Sequence, residues 1–412
     1  MHVLLVSDSH GIVDGVSLSV ATEIQHLRAR GHRVSVVSTS TSLTTDYLLG
    51  GFREFYRTFD ADPRALVRRL RADPVDVAYG HCVGPQGLYF LVYLAVRLRV
   101  PMVNRFTTYM PDYLHYTYPP GAGPATRFAV RLLLETLGGI MQRRMSRLVL
   151  SIRSPKMESY LIGRLGVRPT RLVVNRLPAL ARPGPRRRYL PEFSSSYPYV
   201  FLTAGRVSPE KNHLFLVDLW NTWLAERYPR ATWVIAGDGP ALPEVRSGVC
   251  HADRVRWIGT YRREDIYDHM ARADVLLHAS TSETFGLVIT EAKLCGLAII
   301  ALGDSGGGID AQIGDGVCGG YLAADRDGFL DKLDRLLRDP EGYRRLSEAA
   351  VADVVANYGR DQLEALIALL QRVHGQRRAG LERLIGRLGA ASIRLLLWQL
   401  PRIGGFYKRV RG

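Results

Sequence analysis

Residues 275–301 read Val275-Leu-Leu-His-Ala-Ser280-Thr-Ser-Glu283-Thr-Phe-Gly286-Leu-Val-Ile-Thr-Glu291-Ala-Lys-Leu-Cys-Gly296-Leu-Ala-Ile-Ile-Ala301. The apolar run 275–278 reads as a buried strand, 283–296 as a helix and 297–301 as a second strand. A strand, a helix and a further strand in that order make one crossover unit of a parallel sheet. Glu283 precedes a Phe-Gly-Leu turn and Glu291 follows it. If the helix begins near Gly286, the eight-residue step between the carboxylates spans roughly 12 Å at about 1.5 Å per residue. One acid then lies in the loop at the helix mouth and the other about a turn inside.

The same unit repeats outward from this stretch. Strands at 200–204, 232–236 and 255–258 alternate with helices around 214–227 and 264–271. Near the start, 3–7 is followed by a helical pattern through Val20, Ile24 and Leu27 that stops at Gly31, and 34–38, 75–79 and 102–106 read as later strands. Short apolar runs alternating with helices indicate an α/β fold with parallel sheets covered on both faces. Residues 179–198 carry Pro183, Pro185, Arg186, Arg187, Arg188 and a serine run without apolar periodicity, and look like a linker. The predicted organisation is a Rossmann-like domain over 1–178, the linker at 179–198, a second Rossmann-like domain over 199–358 and helices over 359–412. Two doubly wound domains facing one another would put a ligand cleft between the carboxyl ends of both sheets.

At 412 residues the chain has room for two domains, each with its own core. Its 55 Lys and Arg outnumber 39 Asp and Glu, and the formal charge of +16 points to an anionic partner: nucleic acid, acidic lipid or a phosphorylated substrate. Cys82, Cys250, Cys295 and Cys318 form no CxxC pair, which disfavours a zinc site or disulfide framework and suits a reducing cytoplasm. The start, Met-His-Val-Leu-Leu-Val-Ser, runs into Asp8, Ser9 and His10 and is too short for a signal-peptide core. The longest apolar run, 88–96, falls far below the roughly 18 to 20 residues that span a bilayer. A soluble or peripheral protein is expected.

Charge is concentrated at the end. Residues 375–412 carry Arg377, Arg378, Arg383, Arg387, Arg394, Arg402, Lys408, Arg409 and Arg411 against the single acid Glu382, half of the net charge in 38 residues. Leu381, Leu384, Ile385 and Leu388 keep helical spacing, and Leu395, Leu396, Leu397, Trp398 and Leu400 continue the apolar content. The pattern suits a basic amphipathic anchor on an anionic membrane surface, or a terminal helix packed on the first domain with its arginines solvated. Nucleic acid is the third candidate for such charge. The second domain lacks the aromatic-basic strand face of single-strand binders, so no nucleic-acid partner is expected.

Several short motifs carry chemistry. The amide groups at the mouth of the 283–296 helix face outward at the positive end of its dipole, where a phosphate is stabilised. An anion flanked by two hydroxyl-binding carboxylates is what a sugar-diphosphate-nucleoside presents. Gly205-Arg206-Val207-Ser208-Pro209-Glu210-Lys211-Asn212 follows the first strand of the second domain. Arg206 and Lys211 there read either as a cationic pair for a departing diphosphate, needing no metal, or as a surface cluster with Glu210. Gly237-Asp238-Gly239-Pro240 is a turn, and Ser305-Gly306-Gly307-Gly308 is either open backbone beside a ligand or a flexible loop. Gly15-Val16-Ser17, before the first helix, is a candidate phosphate cradle.

Taken jointly, in their order and spacing, the Gly205-Arg206/Glu210-Lys211, Gly237–Pro240 and Glu283/Glu291 motifs resemble the retaining glycosyltransferases of family 4, with the GT-B fold. The resemblance covers about 198–358. The first domain is more loosely similar, through Val13-Asp14-Gly15-Val16-Ser17 and through Tyr109-Met110-Pro111-Asp112-Tyr113-Leu114-His115-Tyr116, the latter like members that glycosylate diacylglycerol or phosphoinositides or transfer mannose. The resemblance implies that Arg206 and Lys211 bind the donor diphosphate and that Glu283 contacts the transferred sugar. Phe285, Gly286 and Leu287 would line sugar and phosphate through backbone amides, and Glu291 would hold the ribose. It further implies retention of anomeric configuration, a nucleotide-sugar co-substrate, and neither a metal nor another cofactor. Related sequences commonly carry His-Thr where this chain has Thr107-Thr108; either the histidine's role is dispensable here, or His81 or His10 substitutes for it, or activity is impaired, and His81 reads first as a strand-end residue with a local hydrogen bond. The expected activity is transfer of a hexose from a UDP- or GDP-linked donor to a lipid-linked or saccharide acceptor at the cytoplasmic membrane face. Its rivals are a nucleotide-sugar epimerase of the same fold and a catalytically silent membrane-docking subunit of a glycan-assembly complex.

Overall fold

A computed structural model describes residues 1–7, 15–38, 47–48, 63–81, 85–107, 109, 111, 123–151, 154–177, 194, 196–303, 307–374 and 387–388. Asp8–His10, Val13-Asp14, Cys82, Thr108, Met110, the 112–116 motif, most of the linker, Ser305-Gly306 and the basic tail apart from Arg387 and Leu388 lie outside them. The described residues of Met1–Arg153, Met157–Leu177 and Asp361–Gly412 form one compact unit; those of Ser154–Lys156 and Pro178–Arg360 form another.

The first unit is a parallel sheet of seven strands: β1 (His2–Ser7), β2 (Arg33–Ser38), β3 (Tyr47–Leu48), β4 (Val77–His81), β5 (Met102–Phe106), β6 (Ser146–Ser151) and β7 (Leu172–Val174). Their order is β3-β2-β1-β4-β5-β6-β7. Parallel strands need crossover helices, which cover both faces, and β1 shows the result. Val3 and Leu5 pack with Val20, Ile24 and Leu27 of the helix Gly15–Ala29. Leu4 and Val6 point to the opposite face, against Val67 and Leu70 of the helix Pro63–Ala72 and Phe90 and Leu94 of Pro85–Leu98. Burial on both sides is why β1 reads as a continuous apolar run instead of an alternation.

After the second unit the chain returns. The helix Asp361–Val373 lays Leu366, Ile367, Leu370 and Val373 into the same layer as the first helix. There His26 Nε2 lies 2.9 Å from Glu364 Oε1, and Arg30 pairs with the same carboxylate. β4 begins two residues later than its apolar run suggests. The Asp76 carboxylate accepts from His2 N at 2.7 Å and its amide donates to His2 O at 2.9 Å, so regular register starts at Val3 opposite Val77.

The second unit is a six-stranded parallel sheet of β8 (Val200–Ala204), β9 (Thr232–Ala236), β10 (Val255–Gly259), β11 (Val275–His278), β12 (Ala298–Leu302) and β13 (Gly320–Ala323), ordered β10-β9-β8-β11-β12-β13. Its core is aromatic, with Tyr199, Phe201, Trp220, Tyr228 and Trp233 all buried. Trp233 Nε1 donates to Thr203 Oγ1 at 3.0 Å and Trp220 Nε1 to Cys250 O at 3.0 Å, so neither indole N–H is buried unpaired. The helix expected at 214–227 is a composite of His213–Leu219, a π turn over Trp220–Leu224 and Ala225–Arg227. The helix expected at 283–296 is shorter, Leu287–Leu294, because Gly286 holds a left-handed φ of +76° that no α-helix continues through. β12 correspondingly starts one residue later than expected.

The motif Gly237–Pro240 has a packing reason. A Cβ on Gly237 would lie 1.8 Å from Gly205 O, so the exits of β8 and β9 press backbone to backbone. Gly205 N donates to Ala236 O at 2.9 Å and Val207 N to Asp238 O at 3.0 Å, tying the two loops together. This contact shapes the β8 exit that carries Arg206 and Lys211.

Candidate active site

In the second unit β8 and β11 are neighbours, so their carboxyl-end loops meet although about 70 residues separate them in sequence. A 3-10 turn, Pro209–Lys211, leads out of the β8 loop and ends at Asn212 with φ +51°. The Glu210 carbonyl is the joint between the two loops. It accepts from Thr281 N at 2.9 Å and from Ser280 Oγ at 3.2 Å. The Glu210 carboxylate turns back to Ser208 Oγ at 2.5 Å.

This joint sets Lys211 against Glu283. Lys211 Nζ pairs with Glu283 Oε1, and His278 Nε2, at the end of β11, lies 3.5 Å from the same oxygen. Both partners of the pair are mostly buried, at 22% and 12% side-chain exposure, so it is far less screened than a surface ion pair. Burial works to raise the Glu283 carboxyl, but the Lys211 ammonium, then His278, overcome it and hold the group at about 2. Behind them sits His213, buried, with neither ring nitrogen hydrogen-bonded among the described residues. Burial first, then His278 and Lys211, push His213 down to about 4, so it is neutral at physiological pH.

One residue after Phe285 the chain turns at Gly286 and enters the helix Leu287–Leu294. The first amides of a helix have no acceptor within it, so Leu287 and Val288 present the N–H groups of the mouth. Phe285 itself is buried, its ring 5.8 Å from that of Tyr358, which leaves only its backbone for a ligand. Glu291 is buried one turn inside the same helix. The loop is backed by the short helix Gly308–Ile313: Gly308 N donates to Glu283 O at 2.9 Å, and a Cβ there would lie 2.6 Å from the Thr284 carbonyl. Lys211, Glu283 and the Gly286 turn are thus brought together. Arg206 stands exposed on the same loop as Lys211, with no ion pair among the described residues.

In the first unit Gly15 opens the helix after β1, His81 ends β4 and Thr107 follows β5, so all three lie at carboxyl ends of adjacent strands. His81 is fully buried. Its Nε2 lies 2.6 Å from Glu23 Oε2 and 2.8 Å from Tyr79 OH. Arg105 completes a polar network, donating to Tyr79 OH at 2.7 Å and Asn175 O at 2.8 Å and pairing with Glu23 Oε1 at 3.3 Å. Burial would raise the Glu23 carboxyl; Arg105 and His81 bring it to about 2. The local hydrogen bonds expected of a strand-end histidine are therefore present. Thr107 is buried, and its hydroxyl has no partner among the described residues.

His278, His213 and the Glu23–Arg105 network escaped the sequence reading. His278 was the accessible one, since a histidine closing an apolar strand sits where parallel sheets bind ligands.

Two family models match the chain, one to each unit: "Glycosyltransferase Family 4" over residues 13–175 and "Glycosyl transferases group 1" over 191–353. Alpha-monoglucosyldiacylglycerol synthase of Streptococcus pneumoniae is 24% identical over 377 residues, 84% of this chain and 81% of that protein. The phosphatidylinositol N-acetylglucosaminyltransferase gpi3 subunit of Schizosaccharomyces pombe is 38% identical, but over 81 residues, 19% of this chain and 18% of that protein. Among solved structures, Anabaena HepE in complex with UDP superposes at a TM-score of 0.67 with 19% identity, covering 90% of this chain and all of that one. WaaG, a glycosyltransferase of lipopolysaccharide biosynthesis, superposes at 0.63 with 14% identity over 91% of this chain. With one family model on each parallel α/β unit, the chain belongs to the GT-B glycosyltransferases, a family 4 amino-terminal domain joined to a group 1 carboxy-terminal domain.

Proposed function

We propose that this glycosyltransferase moves a hexose, with retention, from a UDP- or GDP-linked donor to a lipid-linked or saccharide acceptor at the cytoplasmic face of the membrane. The observation that carries the reading is the buried Lys211–Glu283 pair, set beside the helix mouth at Gly286. Arg206 and Lys211 bind the donor diphosphate, and the Leu287 and Val288 amides share its charge. Glu283, ionised across the physiological range, accepts hydrogen bonds from hydroxyls of the transferred sugar. Glu291 takes those of the ribose. The acceptor hydroxyl attacks the anomeric carbon from the face the phosphate leaves. The sugar–phosphate C–O bond breaks, and the departing phosphate oxygen takes the acceptor's proton. Two fixed cations and helix amides stabilise the leaving charge, so no metal ion and no carboxylate nucleophile are required.

The synthase relative is named for a glycosylated diacylglycerol, which supports a lipid acceptor, and HepE was crystallised with UDP and with UDP-glucose, which supports a uridine-linked donor. No helix among the described residues is long and apolar enough to cross a membrane. Incubating the purified protein with labelled UDP-glucose, UDP-galactose or GDP-mannose and membrane extract is expected to yield labelled glycolipid from one of them. Absence of transfer from all three overturns the proposal.

A further inference from the structure

We infer that Gln312 is a positioning residue for the donor diphosphate: one buried side-chain amide locks the Gly286 turn onto the helix whose mouth receives the phosphate. This rests on the donor-site reading above. Gln312 is 3% exposed, on the short helix Gly308–Ile313 behind the site. Its Nε2 donates to Phe285 O and, at 3.3 Å, to Gly286 O. Its Oε1 accepts from Thr290 Oγ1 at 2.6 Å, in the first turn of the helix Leu287–Leu294. Only this orientation of the amide satisfies both sides, because two carbonyls face its nitrogen and a hydroxyl its oxygen. The loop that enters the helix and the helix itself are therefore clamped by a single group.

Gln312 is in turn held from below. Its own carbonyl accepts from Lys293 Nζ at 2.7 Å, and Lys293, wholly buried, reaches Asp353 Oδ2 at 2.5 Å and lies over the Tyr358 ring at 5.7 Å. That ring is the one packed on Phe285. Left-handed backbone at Gly286 is not self-supporting; without the clamp the first amides are free to fray away from a common direction. An anion gains most from donors already aimed at it, so slack in the turn weakens a nucleoside diphosphate, which brings the greater charge to the mouth, more than a monophosphate. Gln312 touches no ligand in this account and acts only through the turn.

Calorimetric titration of the full-length protein with UDP and UMP, and with GDP and GMP, tests this. Gln312→Met keeps the volume and removes the amide. It is expected to stay folded by circular dichroism and to bind the nucleoside diphosphate roughly tenfold more weakly, about the worth of one such hydrogen bond. The monophosphate should change by less than about twofold, and the donor KM should rise with kcat nearly constant. Equal losses for diphosphate and monophosphate, or none, overturn the inference. Should that variant not fold, Thr290→Val decides: it removes only the hydroxyl anchoring Gln312, and unchanged diphosphate affinity there overturns the inference. If the wild-type protein binds neither UDP nor GDP, the donor-site reading itself falls. If it binds one of them and both variants bind it equally well, only the role of Gln312 falls.

Discussion

Glu283 is where burial and charge compete, and charge wins. A carboxylate with 12% of its side chain exposed, left alone, would favour its neutral form; Lys211 and His278 keep it ionised to about 2. The depressed value makes Glu283 a source of stability that is fully present above its unfolded pKa, near 4.5, and lost as pH falls through about 2. Glu283→Gln should abolish sugar transfer while keeping the fold. The Tm gap between wild type and variant is expected to narrow as pH is lowered from about 4.5 toward 2, read by scanning calorimetry across that range. A gap constant over the same range would mean the pair is not intact in solution. Lys211 and Glu283 were legible as motifs because turn residues flank each. His278 carried a signal that went unread, its place at the end of an apolar strand; His213 carried none, because what makes it matter is the adjacency of β8 and β11, a property of strand order that local spacing does not encode.

Among elements, the strands were the most legible: β5, β8, β9 and β11 lie where their apolar runs put them, because buried parallel strands have no polar face to blur their edges. Helix starts were less so. Periodicity alone lets the site helix run back to Glu283, whereas the left-handed Gly286 stops it and frees the carboxylate to meet Lys211. The returning helix Asp361–Val373 separates two kinds of contact. Glu364 meets His26 and Arg30 at the surface, with 41% of its side chain exposed, where solvent screening leaves an ion pair little net stability. Leu370 is fully buried against the first sheet, where truncation to alanine costs about 2–5 kcal/mol. Denaturant titration should therefore find Glu364→Ala nearly neutral and Leu370→Ala strongly destabilising. The reverse ranking would mean that helix is held by charge and not by its apolar face.

At the scale of the whole molecule the chain leaves its first unit, builds a second and comes back, so residues after Asp361 complete a core begun at β1. The basic residues after His374 lie outside the described residues apart from Arg387. A charge of +16, half of it in 38 terminal residues, is more than a small-molecule phosphate site needs. Near an anionic bilayer each Lys or Arg of such a segment would contribute about 1 kcal/mol, and the interspersed leucines and Trp398 would add apolar burial. A chain ending at His374 keeps the returning helix and loses the tail. It is expected to keep its thermal stability and its UDP affinity yet lose co-sedimentation with phosphatidylglycerol vesicles. The full chain should bind those vesicles at about 0.1 M salt, where the Debye length is about 10 Å, and release them near 1 M, where it is about 3 Å. Neither form should bind duplex DNA at the lower salt. Retained vesicle binding by the shortened chain would move the membrane contact to another surface; DNA binding by the full chain would mean the charge answers to any polyanion, and the tail would no longer argue for a lipid acceptor.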